Sequence, residues 1–174
     1  MTILTQGCSS VYNLWVDSRD KPAPGARDIK YMRLALEQAR QAAAAGEVPI
    51  GCVVVRDGQI LGLGQNRTRR DKSVHAHAEI VALTAAEQAE GDYRLDNSEV
   101  YVTVEPCLMC LGAIHQARAR RVVYGAPEPK FGALGSRFDL QGHEALRKME
   151  FAGGVLADES AALLTGFFKQ LRSE

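Results

Sequence analysis

Between Val100 and Tyr124 the chain switches from strand to helix and back to strand, and few folds accommodate that run. Val100 to Val104 is β-branched and ends at Pro106; an apolar helix begins near Cys107 and reaches about Ala119; Arg121 to Tyr124 forms the second short strand. Two strands joined by a helix lie parallel in one sheet and cross over right-handed. Upstream, Ile50 to Val55 and Gln59 to Gly64 flank Asp57-Gly58, a two-residue hairpin turn, so this pair is antiparallel. The two signals together predict an α/β layered domain around a mixed sheet.

The remaining elements follow from apolar spacing. Asp28 is expected to cap a helix in which Ile29, Met32, Ala35 or Leu36, and Ala39 recur, ending at Gly46. A second helix runs from about His77 through Gln88 and stops near Gly91, and Asp158 to Leu171 is amphipathic. Leu140 to Lys148 reads as a small helix and Gly153 to Leu156 as a last strand. Residues 1–27, with Pro22-Ala23-Pro24-Gly25, read as a flexible extension before one domain over 28–174.

Composition excludes several classes. The chain has 174 residues, long enough for one core without disulfide staples. Lys plus Arg and Asp plus Glu are 21 each, so no global basic field draws it to nucleic acid, and such a partner needs a local patch. No apolar run approaches the ~18 residues of a membrane span, and the N-terminal segment lacks a signal-peptide core. The expectation is a cytoplasmic protein. Of its four cysteines, Cys52 lies in a β-branched run and reads as a small buried hydrophobe, and Cys8 lies in the polar N-terminal segment.

Cys107 and Cys110 are different. They share a helix face beside the helix N-terminus, whose partial positive charge favours thiolate, the metal-ligating form. His77-Ala78-Glu79 opens another helix. One imidazole and two thiolates suit Zn²⁺, and three ligands without a convincing fourth leave a position for water, as catalytic zinc requires. Glu79 is then the natural proton shuttle. His-x-Glu followed by Pro-Cys-x-x-Cys, here His77 to Glu79 and Pro106 to Cys110, is the known signature of zinc nucleobase deaminases. A thioredoxin-like redox pair would leave His77-Ala78-Glu79 unexplained, and a structural zinc would need a fourth ligand. His75 reads as a loop residue, His115 as an interior or interface histidine and His143 as exposed.

Longer stretches carry a resemblance. Glu47-Val48-Pro49-Ile50-Gly51, Gly64-Gln65-Asn66-Arg67, His75 to Ile80, Tyr101 to Cys110, Arg121 to Ala126 and Ala157 to Leu164 resemble bacterial tRNA adenosine deaminases, of the cytidine deaminase-like superfamily. The resemblance implies a three-layer α/β/α fold with a mixed five-stranded central sheet, a homodimer, one Zn²⁺ per subunit, and conversion of the wobble adenosine of a tRNA anticodon, classically tRNA-Arg, to inosine. It makes His77, Cys107 and Cys110 zinc ligands and Glu79 the shuttle. Asn66 and the main chain of Ala78 and Pro106 would hold the base, while Lys130 and Phe167-Phe168 match positions near RNA. Glu128 stands where the family usually has Asp, within reach of a ribose hydroxyl, and Phe131 replaces a smaller residue.

Arg118, Arg120 and Arg121 form a basic cluster expected, with Lys130, to surround the mouth and meet phosphates. Two other functions share these residues. A small-molecule deaminase acting on guanine, cytosine or a nucleoside uses the same zinc and glutamate; a zinc-containing RNA-binding protein would bind without turnover.

Overall fold

The computed structural model describes residues 25–173. The extension expected over residues 1–27 lies outside them up to residue 24, as does Cys8, and Ala26 and Arg27 already belong to the first helix. The elements are α1 (Ala26–Ala44), β1 (Gly51–Arg56), β2 (Gln59–Gln65), α2 (Ala78–Glu90), β3 (Glu99–Val104), α3 (Leu108–Gln116), β4 (Arg121–Ala126), β5 (Glu150–Ala152) and α4 (Ala157–Leu171). The sheet has the order β2-β1-β3-β4-β5. β1 is antiparallel to β2 and β3, whereas β3, β4 and β5 are parallel. It is the mixed five-stranded sheet that the sequence leads one to expect.

Both sheet faces are covered, which explains the nearly unbroken apolar runs of β1 and β3. Side chains alternate between faces along a strand. Val53, Val55, Tyr101 and Val123 pack with Tyr31, Met32 and Ala35 of α1 and with Val155 before α4. Cys52, Val54, Val100, Val102 and Val122 pack with Ala78, Ala82, Leu83 and Ala86 of α2 and Leu111 and Ile114 of α3. The layers are therefore α1 and α4, sheet, α2 and α3. Glycine lets α2 lie directly on β2: a Cβ at Gly64 would stand 2.2 Å from the Ala78 carbonyl oxygen. That contact fixes the start of α2, where His77 and Glu79 reside.

Four local expectations need correction. Gly25 occupies the cap of α1, and Asp28 lies inside the first turn, where its carboxylate is drawn to Arg121. α3 ends at Gln116, because Arg118 takes a left-handed conformation with φ of 62°. The helix expected over 140–148 is reduced to one 3-10 turn, Glu144–Leu146, capped by His143, whose ring nitrogen accepts from the Ala145 N–H. The last strand is Glu150–Ala152, not 153–156: Gly154 and Leu156 have φ of 88° and 52°, which no strand sustains. Buried Val155 imitates a strand residue by packing against the core while the chain turns into α4. Among the described residues no helix is long and apolar enough to cross a membrane.

Candidate active site and metal centre

The C-terminal end of the central strand β3 and the starts of α2 and α3 meet at one end of the sheet. His77 and Cys107 are the N-cap residues of α2 and α3, both extended, and neither side chain caps its own helix. The imidazole and thiol are thus left to face each other. His77 Nδ1 lies 3.4 Å from Cys110 Sγ and 3.8 Å from Cys107 Sγ. All three donor atoms lie within 4.8 Å of one another.

These separations can be tested against an ion. Tetrahedral zinc with Zn–S near 2.3 Å and Zn–N near 2.0–2.1 Å holds N and S about 3.5 Å apart. The three donors fit that geometry, and two thiols with one imidazole match zinc in softness. His77, Cys107 and Cys110 are placed to hold a metal ion, as their spacing along the chain implies. His75 is exposed, outside the donor set.

The donors already behave as one unit. The Cys107 thiol is lowered to about 4, first because the Cys110 S–H hydrogen-bonds to its thiolate, with His77 assisting. Cys110, beside that thiolate and buried, is pushed up. His77 is raised, chiefly by its hydrogen bond to Cys107. Metal binding exchanges such shared protons for a cation. Glu79, in the first turn of α2, is only 4% exposed, and burial pushes its carboxyl up. A carboxyl shifted toward neutrality can both take and return a proton.

Two loops frame this end of the sheet, each tied to a buried carboxylate to which the sequence alone gives no role. Glu47 Oε2 accepts from Asn66 Nδ2 at 3.3 Å and from the Arg69 N–H at 3.2 Å, while Oε1 accepts from the Arg70 N–H at 2.6 Å. Asn66 is itself buried, at the end of β2, with Nδ2 also donating to Thr68 Oγ1 at 3.2 Å. On the other side, Glu105 binds the loop that follows β4. Residues 107 and 132 form an antiparallel bridge, and the Ala133 N–H donates to the Pro106 carbonyl at 2.9 Å. This brings the segment with Glu128, Lys130 and Phe131 beside Cys107; Lys130 and Phe131 are exposed. Glu47 and Glu105 stand inside family-like stretches, but most of the bonds they accept come from main-chain N–H groups, which no motif displays.

The arginine cluster is elsewhere. Glu99 pairs with Arg121 and Val104 with Ala126, so Arg121 starts its strand at the opposite end of the sheet, about 16 Å from the metal ligands' end. Arg121 binds Asp28, Arg120 binds Glu99, and Arg118 faces Asp96 at 4.0 Å. Arg120 lines a polar cavity of about 380 Å³ with Asp57 and Gly58 of the β1–β2 turn. The expectation that these arginines ring the mouth is therefore corrected: two of them neutralise carboxylates of the sheet's far end. Phe168 stays outside the core, edge-to-face on Phe167 at 5.5 Å between ring centroids.

A three-layer mixed sheet with His-x-Glu and Cys-x-x-Cys at two facing helix starts defines the zinc-dependent deaminase class. The chain belongs to the family described as the cytidine and deoxycytidylate deaminase zinc-binding region, whose model matches residues 26–126, from α1 through β4. Among curated relatives, the tRNA-specific adenosine deaminase of Haemophilus influenzae is 45% identical over 149 residues, 84% of this chain and 86% of that protein. A solved structure from work on A-to-I editing by tRNA:A34 deaminases at the wobble position of transfer RNA is 43% identical, with a TM-score of 0.74 over 78% of this chain and 99% of that one. A guanine deaminase from Nitrosomonas europaea superposes with a TM-score of 0.73 at 26% identity, over 85% of this chain and 88% of that one.

Proposed function

We propose that this chain is a zinc-dependent tRNA adenosine deaminase that converts the wobble adenosine of an anticodon stem-loop to inosine. The first candidate substrate is tRNA-Arg, the compartment the cytoplasm and the working form a homodimer built from the 28–174 domain. The observation that carries the reading is the buried Glu79 beside a donor set that stops at three among the described residues. Three protein ligands leave a coordination position open, the arrangement of catalytic rather than structural zinc. The 45% identity with a tRNA-specific adenosine deaminase over 84% of this chain, against 38% over 63% for one guanine deaminase and 26% over 85% for another, favours the tRNA substrate.

His77, Cys107 and Cys110 would hold the zinc. When bound, zinc supplies the Lewis acidity that brings a water's pKa to near 7. Glu79 takes a proton from the attacking water and delivers it to ring nitrogen N1 as the oxygen adds to C6. It then carries the second water proton to the departing amine, so adenosine and water become inosine and ammonia. Asn66 and the main chain at Ala78 and Pro106 hold the base, and burial of Asn66 keeps its amide fixed. Glu128, Lys130 and Phe168 meet the flanking RNA. An anticodon loop suits this site because its unpaired base can be splayed into a pocket without opening a duplex. Leu108 and Met109 leave an exposed apolar patch next to Cys107, which a second subunit would cover.

The test is zinc-loaded protein with a tRNA-Arg anticodon stem-loop, inosine being read by sequencing. Glu79→Ala and a panel of guanine, cytosine and nucleosides run alongside. Inosine that requires Glu79 supports the reading. Ammonia from a free base without inosine moves the chain to the small-molecule branch, and RNA binding without turnover to the non-catalytic one.

A further inference from the structure

We infer that Glu105 is a positioning residue: its buried carboxylate gathers the 128–136 loop against Cys107 and thereby sets how tightly the site holds its substrate. This rests on the reading above, in which Glu128 and Lys130 meet that substrate.

Glu105 follows β3 and directly precedes Pro106-Cys107, with its main-chain N–H on the Ala126 carbonyl at 2.8 Å. Its side chain is 3% exposed and accepts four hydrogen bonds. Oε1 accepts from the Leu134 N–H at 2.7 Å and the Ser136 N–H at 3.1 Å; Oε2 accepts from the Glu128 N–H at 3.1 Å and from the Ser136 hydroxyl. No Lys, Arg or His among the described residues forms an ion pair with it. The loop's own dipoles surround the carboxylate, as N–H groups surround a bound anion. The fit is close, because a Cβ at Gly132 would stand 2.6 Å from Glu105 Cδ and 2.6 Å from the Glu128 carbonyl oxygen.

The geometry connects this anchor to the chemistry. Gly132 bridges Cys107, and the Gly132 N–H closes back on the Glu128 carbonyl at 2.8 Å. The Lys130 N–H donates to Glu128 Oε1 at 2.9 Å, so the residues facing solvent are placed by a segment whose two ends converge on Glu105. A carboxylate alone can satisfy four donors on two oxygens. A glutamine amide would keep Leu134 and Ser136 on its oxygen, and its NH₂ would donate to the Ser136 hydroxyl. It would also turn an N–H toward the Glu128 N–H. The amide variant therefore releases the substrate-facing end of the loop and keeps the other.

The experiment uses the full chain loaded with zinc, comparing wild type, Glu105→Gln and Ser136→Ala. Glu105→Gln is expected to raise KM for the anticodon stem-loop roughly tenfold, with kcat and zinc content within about twofold. Amide exchange at Glu128 should quicken about tenfold or more, while Val81 in α2 keeps its wild-type protection. Ser136→Ala, which removes one bond of four, should raise KM only about two- to threefold. Wild-type exchange at Glu128, Leu134 and Ser136 that is already as fast as in an open loop would overturn the anchor. So would a fall in kcat at constant KM. If wild type makes no inosine, the tRNA reading falls and the exchange pattern alone decides whether Glu105 holds the loop. If Glu105→Gln does not fold, Ser136→Ala and the wild-type exchange pattern decide it.

Discussion

Asp28 holds Arg121 with both carboxylate oxygens, at 2.7 and 2.9 Å, and so ties the first turn of α1 to the first residue of β4. Glu99 and Tyr101 complete the cluster, the Tyr101 hydroxyl donating to Glu99 at 2.7 Å. Arg121 keeps the Asp28 carboxyl below its usual range. A carboxyl lowered by folding stabilises fully above its unfolded value, near 3.8, and loses that contribution as pH falls through the folded value. Urea unfolding of wild type should therefore weaken between about pH 5 and pH 2 more steeply than that of Asp28→Asn. At pH 7 the variant should be less stable by about 2 kcal/mol, since Arg121 loses its two-oxygen partner and keeps only the longer contacts to Glu99 and Glu150. Parallel pH curves would show that this pair adds nothing to folding.

What the sequence displays of this molecule, and what it hides, divides along physical lines. β1, β3, β4 and α2 are legible because each buries a regular apolar run, α4 because its apolar residues keep helical spacing although only Ser160 is fully buried, and the hairpin because Asp57-Gly58 suits its turn. The metal donors are legible for another reason: their chemistry belongs to the side chains and their spacing to two helix starts. Arg120 and Arg121 misled because charge in a sequence carries no direction; only the sheet register shows them turned to Glu99 and Asp28. Asp28 resembled a cap for the same reason, its partner being far along the chain. Glu47 and Glu105 stay silent because loop backbone, which supplies most of the bonds each accepts, has no signature.

Glu79→Gln removes the proton carrier while keeping its shape. Burial already pushes the native carboxyl up, which favours its taking a proton, and the amide cannot exchange one. The expected outcome is a loss of about 10²–10⁴ in kcat with zinc content unchanged, measured by inosine formation and metal analysis on the same preparation. Activity within tenfold of wild type would remove Glu79 from the shuttle role.

Glu47→Gln tests the other loop. The amide can still accept from the Arg70 N–H, but its nitrogen faces the Asn66 amide and the Arg69 N–H, both donors. A buried donor left without an acceptor costs about 1–3 kcal/mol, so the urea midpoint should fall accordingly. KM should rise with it, because Asn66 loses one of the two bonds that hold Nδ2. A stability loss with KM unchanged would mean that Asn66 keeps its position without Glu47, or that it does not meet the substrate.

Lys130 and Arg120 separate the two ends of the sheet as routes for RNA. Lys130 is exposed beside Cys107 and makes no ion pair among the described residues, whereas Arg120 is engaged with Glu99 at the far end. A lysine on a phosphate releases about one counterion, so Lys130→Ala should weaken anticodon stem-loop binding and reduce the salt slope by about 1. Arg120→Ala should leave that slope alone and lower stability instead, since Glu99 then keeps only Arg27, Arg121 and the Tyr101 hydroxyl. Binding measured across a salt series, with urea unfolding of both variants, distinguishes the two roles. The reverse pattern, a flatter slope in Arg120→Ala and none in Lys130→Ala, would carry the RNA across the hairpin end of the sheet and away from the loop that Glu105 holds.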